Sequence, residues 1–224
     1  MIRFAGWLSK AADTAMPHIN KCVICGIEKD VVDSLCSPCR DDITSLEHGD
    51  TSAKGFDAFS VYDYSGDIAK LVRSYKYNGK RYLADFMATQ MAKALDGDYS
   101  AVCHVPLHKK RLAQRGFDQA ELLAKSISVK TGIPFAHVIE RTRNTKTQVS
   151  LGQKQRQENM KGAFVAVGDI SGNVLLIDDV LTTGATTAEC AQVLMGAGAG
   201  AVFIITFARS IGDAPLKRKW FMRR

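Results

Sequence analysis

Apolar and polar positions along the chain fall into two periods, and the switches between them mark out the elements. From Phe56 to Tyr62 they alternate singly, as in a short strand. Gly66 to Tyr75 moves to helical spacing, and Lys76-Tyr77-Asn78-Gly79-Lys80 ends that helix with a glycine C-cap. Arg81 to Leu95 places Leu83, Phe86, Met87, Met91 and Leu95 on one helical face. An apolar strand follows from Ala101 to Pro106. The next helix runs from about Gln119 to Lys130, with Asp118 as N-cap and Glu121 three residues later. Gly132 and Pro134 stop it. Phe135 to Ile139, Lys161 to Val167, Val174 to Ile177 and Ala201 to Phe207 read as strands, with a helix from Thr187 to about Gly196. Strands alternating with helices predict an α/β fold with a parallel sheet flanked by helices. The polar run from Glu47 to Lys54 reads as a linker. It divides the chain into a small N-terminal module, 1–50, and a larger domain, 51–224.

The strand Val174 to Ile177 carries the densest chemistry. Its four apolar residues suit a strand buried on both faces, and the adjacent carboxylates Asp178 and Asp179 stand at its carboxyl end. Thr182-Thr183-Gly184-Ala185-Thr186 then turns into a helix, where free N–H groups and the helix dipole favour an anion. An ordinary strand-to-helix turn is the plain alternative. Such a turn needs one capping residue, not two carboxylates and three threonines around a glycine. Carboxylates beside a phosphate cradle make sense for one ligand carrying both a sugar diol and a phosphate. The segment resembles the binding signature of the type I phosphoribosyltransferases. That resemblance implies that Asp178 and Asp179 hold the ribose hydroxyls of phosphoribosyl pyrophosphate (PRPP). It also implies that Thr182, Thr183, Gly184, Ala185 and Thr186 wrap the 5′-phosphate.

A second constellation lies near the N-terminus. Cys22-Val23-Ile24-Cys25 and Cys36-Ser37-Pro38-Cys39 are two Cys-x-x-Cys knuckles, enough for a tetrahedral four-sulfur metal site. So short a segment cannot bury enough surface to fold alone, so metal would supply folding energy. Structural zinc is expected, with iron the other metal that four thiolates accept. A disulfide pair is disfavoured in a cytoplasmic chain, and a redox dithiol does not need two copies. With no open coordination position, the metal should not be catalytic. Cys103 and Cys190 read as buried small hydrophobes.

Composition narrows the class. The 224 residues are 46% hydrophobic, so the chain can build a core, and no apolar run reaches the ~18 residues of a membrane span. Met1 to Met16 lacks the pattern of a secretory signal and reads as a short helix packed through Phe4, Trp7, Leu8 and Ala12, so a cytoplasmic location is expected. The formal net charge of +7 is focused: residues 107–161 hold 12 Lys/Arg against 4 Asp/Glu. Such focusing suits a polyanion, pyrophosphate or nucleic acid, the alternative being a solvated basic face.

Two loops carry that charge. After the Ala101 strand come Leu107, His108, Lys109, Arg111 and Arg115. From Arg141 through Arg143 to Arg156 the chain lacks any clean period, which inside a compact domain marks a functional or disordered loop. By the phosphoribosyltransferase resemblance the first holds pyrophosphate and the second closes over PRPP. Read together, the double Cys-x-x-Cys, Tyr75-Lys76-Tyr77-Asn78-Gly79, Arg115-Gly116-Phe117-Asp118-Gln119, the run from Arg141 to Phe164 and the acidic signature resemble the ComF family of competence-associated proteins. Asp118 departs from that family's usual Asn. The resemblance implies Mg²⁺-dependent phosphoribosyl transfer with PRPP, the acceptor unnamed and the oligomeric state unread. The other reading is a competence factor associated with single-stranded DNA and other competence proteins, in which PRPP only regulates. Tyr75, Tyr77 and the cationic, aromatic tail from Lys217 to Arg224 suit that reading, although the tail also reads as a solvated terminus.

Overall fold

The computed structural model describes residues 21–46, 49–53, 55–143 and 161–210. The predicted N-terminal helix, Arg156 with most of its loop, and the basic tail lie outside the described residues. The elements in chain order are β1 (Val31–Val32), β2 (Leu35–Cys36), α1 (Ser37–Thr44), β3 (Gly49–Ala53), β4 (Phe56–Asp63), α2 (Gly66–Tyr77), α3 (Leu83–Lys93) and β5 (Ala101–His104). Then come α4 (Lys109–Arg115), α5 (Gln119–Thr131), β6 (Ile139–Arg141), β7 (Phe164–Ala166), β8 (Asn173–Leu181), α6 (Ala185–Gly196) and β9 (Ala201–Arg209).

The central sheet has the order β3-β4-β9-β8-β5. β4, β9, β8 and β5 are parallel, and β3 joins the β4 edge as an antiparallel hairpin strand. Two expectations from the sequence are corrected. Residues 49–53, read as linker, form β3, because an edge strand needs only backbone pairing and no apolar alternation. Phe135 pairs with the sheet as an isolated bridge to Val102 rather than as a strand, and the regular strand begins at Ile139, paired with β7 in a separate two-stranded sheet.

Layering follows from the period of two along β8. Leu175 and Ile177 belong to an apolar cluster with Leu71 and Val72 of α2, Phe86 and Met87 of α3, and Leu123 and Ile127 of α5. Val174 and Leu176 point the other way, into a cluster with Cys190 and Leu194 of α6 and Phe164 of β7. The sheet is thus covered on both faces, which is why its central strands are continuously apolar. The first cluster also takes in Leu35 and Ile43, so the Cys-rich segment shares the main core.

Candidate functional site

β8 does not stop before its acidic pair. It stays paired with β9 through Asp178↔Thr206 to Leu181↔Arg209, whereas its pairing with β5 ends at Ile177↔His104. The two carboxylates therefore emerge beside β9 but beyond the end of β5, and a cleft of about 180 Å³ opens there. Its floor is Asp178 to Thr182. Its walls include Lys76, Pro106, Leu107, Arg111, Arg115, Gln119 and Arg141, with Gly184, Thr186 and Thr187 at the end. A cleft at the carboxyl edge of a parallel sheet is where α/β folds take ligands.

Strand alternation gives the two carboxylates different surroundings. Asp179 is buried and meets Lys76 Nζ at 2.9 Å, across from the last turn of α2. Burial works against the Lys76 charge, but Asp179 and Asp178 outweigh it and hold the ammonium above its usual range. Asp178 Oδ1 accepts the Asp179 backbone N–H at 2.8 Å. Burial first, and then the neighbouring Asp179 charge, push the Asp178 carboxyl up to about 8 against the opposing pull of Lys76.

The turn after β8 is shaped for close approach. Gly184 lies at φ +70°, and a Cβ there would meet the Ala53 Cβ of β3 at 3.2 Å. As N-cap of α6 it offers no capping side chain, so the first-turn N–H groups of that helix keep their anion-binding capacity. Thr183 Oγ1 is buried and has no hydrogen-bond partner. A buried hydroxyl without a partner is costly, and it lies behind the turn rather than on the cleft wall, which Thr182, Gly184 and Thr186 line.

On the opposite wall, Asp118 organises the loop after β5. Its Oδ1 accepts from Ala120 and Glu121 N–H at the start of α5, and its Oδ2 accepts from Leu107 N–H. Tyr75 donates to the Gln119 carbonyl at 2.7 Å, and its ring meets Phe117 edge-on at 5.6 Å. Arg115 donates to Gln119 Oε1 at 2.7 Å, which holds its guanidinium on the cleft wall. Burial and the nearby Arg111 lower Arg141 from its usual range.

The Cys-rich segment forms its own small site. In the β1–β2 hairpin Asp33 and Ser34 both have positive φ, as a tight two-residue turn requires. The hairpin carries Cys36 to the start of α1, and Cys39 lies in that helix. The four sulfurs lie within 4.8 Å of one another, with Cys25 to Cys36 at 3.6 Å. Tetrahedral Zn–S bonds would set the sulfurs ~3.8 Å apart, so the four residues could hold a metal such as zinc.

No protein-family model matches the chain. The DNA utilization protein YhgH of Salmonella typhimurium is 32% identical over 162 residues, 68% of this chain and 71% of the relative. Competence protein F of Haemophilus influenzae is 35% identical over 117 residues, 49% of this chain and 50% of that one. Competence protein ComFC of Bacillus subtilis is 29% identical over 163 residues, 67% and 63%. The chain belongs to the ComF family. Among solved structures, it is similar to the allosteric regulatory enzyme of purine biosynthesis, with a TM-score of 0.42 and 22% identity over 57% of this chain and 26% of that one. An adenine phosphoribosyltransferase from Thermoanaerobacter pseudethanolicus gives 0.37 and 16%, over 75% and 96%. At those TM-scores the fold rests on its own geometry. The parallel sheet, flanking helices and four-cysteine segment agree with the type I phosphoribosyltransferase-like architecture expected of the family.

Within this ComF chain the cleft gathers Asp178, Asp179, Thr182, Gly184, Thr186, Leu107, Arg111 and Arg115 from the predicted set. Thr183 and Ala185 shape the turn behind its wall. His108 and Lys109 lie off the wall, His108 being the N-cap of α4, whose Nδ1 accepts the Lys110 N–H at 3.2 Å. Exposed Arg143 also lies off it, donating to the Lys161 carbonyl at 2.7 Å. Lys76, Gln119 and Arg141 line the cleft although the sequence does not single them out as site residues. Their signal lies in the Tyr75–Gly79, Arg115–Gln119 and Arg141 motifs.

Proposed function

We propose that this ComF-family chain binds PRPP in the β8 cleft and transfers its phosphoribosyl group to an acceptor with loss of pyrophosphate. The observation that carries the reading is the juxtaposition, in one cleft, of paired carboxylates, an uncapped helix N-terminus and three arginines. Asp178 and Asp179 orient the ribose through its hydroxyls. The turn from Thr182 to Thr186 and the first N–H groups of α6 hold the 5′-phosphate. Leu107 N–H is already engaged by Asp118, so side chains supply the pyrophosphate contacts, with Arg111 and Arg115 placed for them. Bound with PRPP, Mg²⁺ would neutralise pyrophosphate charge. Catalysis then consists of positioning and charge stabilisation, with no dedicated nucleophile. Zinc on Cys22, Cys25, Cys36 and Cys39 has a structural role. Calorimetry with PRPP and Mg²⁺ tests the site: the wild type should bind and the D178A/D179A variant should not, and equal binding would sink the assignment. A screen for pyrophosphate release across candidate bases tests transfer.

A second reading keeps PRPP as a regulatory ligand of a protein associated with single-stranded DNA. It is supported by exposed Tyr77 at the cleft rim, whose ring lies 5.1 Å from the Arg115 guanidinium carbon and which could stack a base. A titration with single-stranded DNA checks it, since the affinity must fall as salt rises.

A further inference from the structure

Lys76 is a charged group of the cleft to which the proposed reaction assigns no step. Its Nζ lies 2.9 Å from Asp179 Oδ1, with both side chains largely buried. A cation of the protein's own therefore stands against the acidic pair. The place is built rather than incidental. Lys76 sits in the last turn of α2, directly after Tyr75, whose fully buried ring and 2.7 Å bond to the Gln119 carbonyl tie that helix end to α5. A long lysine stem fixed at its base and ion-paired at its tip has little freedom to leave.

We infer that Lys76 is a specificity-determining residue that occupies the cation position at Asp179, so that the cleft refuses a bare divalent ion and admits one only as the complex of a phosphorylated sugar. The physical reason is charge balance. Without a counter-charge, the buried Asp179 carboxylate with Asp178 beside it attracts a divalent cation through oxygen ligands, the metal displacing the proton that burial favours on Asp178. With Lys76 in place and Arg111, Arg115 and Arg141 around the rim, the same cleft instead favours a ligand of net negative charge. The inference rests on the cleft being the sugar-phosphate site proposed above. It adds a role for Lys76 as the built-in counter-ion of Asp179.

Electron paramagnetic resonance of Mn²⁺, which shares the oxygen preference of Mg²⁺ and competes poorly for thiolates, reads this directly on the full chain. Wild type and Lys76→Arg should leave Mn²⁺ free, whereas Lys76→Met should bind it at least about tenfold more tightly, the scale on which a neighbouring charge shifts a carboxylate equilibrium. Adding Asp179→Asn to Lys76→Met should abolish the gain. If Lys76→Met destabilises the fold, Lys76→Gln carries the same expectation. Equal Mn²⁺ affinity in wild type and Lys76→Met, or a gain that survives Asp179→Asn, overturns the inference. A Mn²⁺ gain in Lys76→Met together with no PRPP·Mg²⁺ binding by wild type supports the lysine's role and removes PRPP as the ligand. PRPP·Mg²⁺ binding by wild type without that gain does the reverse.

Discussion

Asp118 Oδ2 accepts the Leu107 backbone N–H at 2.7 Å, while the other oxygen of the same carboxylate caps α5. One side chain thus fixes both the loop leaving β5 and the helix returning to the sheet. Asp118→Ala should lower stability by about 1–2 kcal/mol, the usual range for a lost N-cap, and loosen the loop that carries Arg111. Asp118→Asn should lose less, because its single amide oxygen keeps one of the two roles. Urea midpoints for the three proteins check this, and coincident curves for wild type and Asp118→Ala would count against it.

Asp178 predicts a pH dependence of stability. Burial and Asp179 raise its folded-state value to about 8, well above the ordinary carboxylate value of about 4. Between those values the folded state binds more protons than the unfolded state, so stability falls as pH rises. This contribution is fully present below about pH 4 and lost as pH passes through about 8, with a slope of at most about 1.4 kcal/mol per pH unit. Asp178→Asn should flatten that fall. Thermal melts from pH 5 to 9 decide it, since parallel profiles for the two proteins would contradict the effect.

Gly184→Ala addresses the phosphate turn. The substitution adds a side chain at φ +70° and brings its Cβ to 3.2 Å from that of Ala53. A left-handed conformation costs an L-residue roughly 1–2 kcal/mol before that crowding is added. Stability should fall by at least that much and PRPP affinity with it. A variant as stable as wild type would show that the turn accommodates the methyl group.

Metal removal should act through the shared core. Leu35 and Ile43, brought in by the Cys segment, are buried with Leu71 and Phe86. Chelation of the purified protein should release zinc in about equimolar amount and lower the melting temperature by roughly 5 °C or more. Cys36→Ser should reproduce the loss. A melting curve that chelation leaves unmoved would argue for a site without structural weight.

The parts of this chain written locally are readable from its sequence. Asp118 announces α5 through its cap, and the acidic pair followed by Thr182 to Thr186 announces the strand, turn and helix, because neighbours in sequence make those contacts. β3 escapes such a reading since an edge strand is specified by pairing with β4 rather than by its own pattern. α4 hides in what reads as a basic loop, being short and without a buried face. Lys76 can be placed at a helix end but not in the cleft, because its partner lies 103 residues away and only the tertiary fold brings them together. The same limit applies to Arg141, whose place on the cleft wall depends on how the β6–β7 pair folds against the sheet.

The turn between α2 and α3 gives the Cys segment a mechanical meaning. Lys76 grips Asp179 at one end of that turn, and Tyr82 receives the Ser34 hydroxyl of the β1–β2 hairpin at 2.7 Å at the other. Between them Arg81 braces the Gly116 carbonyl at 3.0 Å and stacks over Phe117 at 4.8 Å. The hairpin is thus a bracket bolted to the frame of the cleft mouth. Loss of a metal held by those four cysteines would slacken that bracket and loosen the mouth.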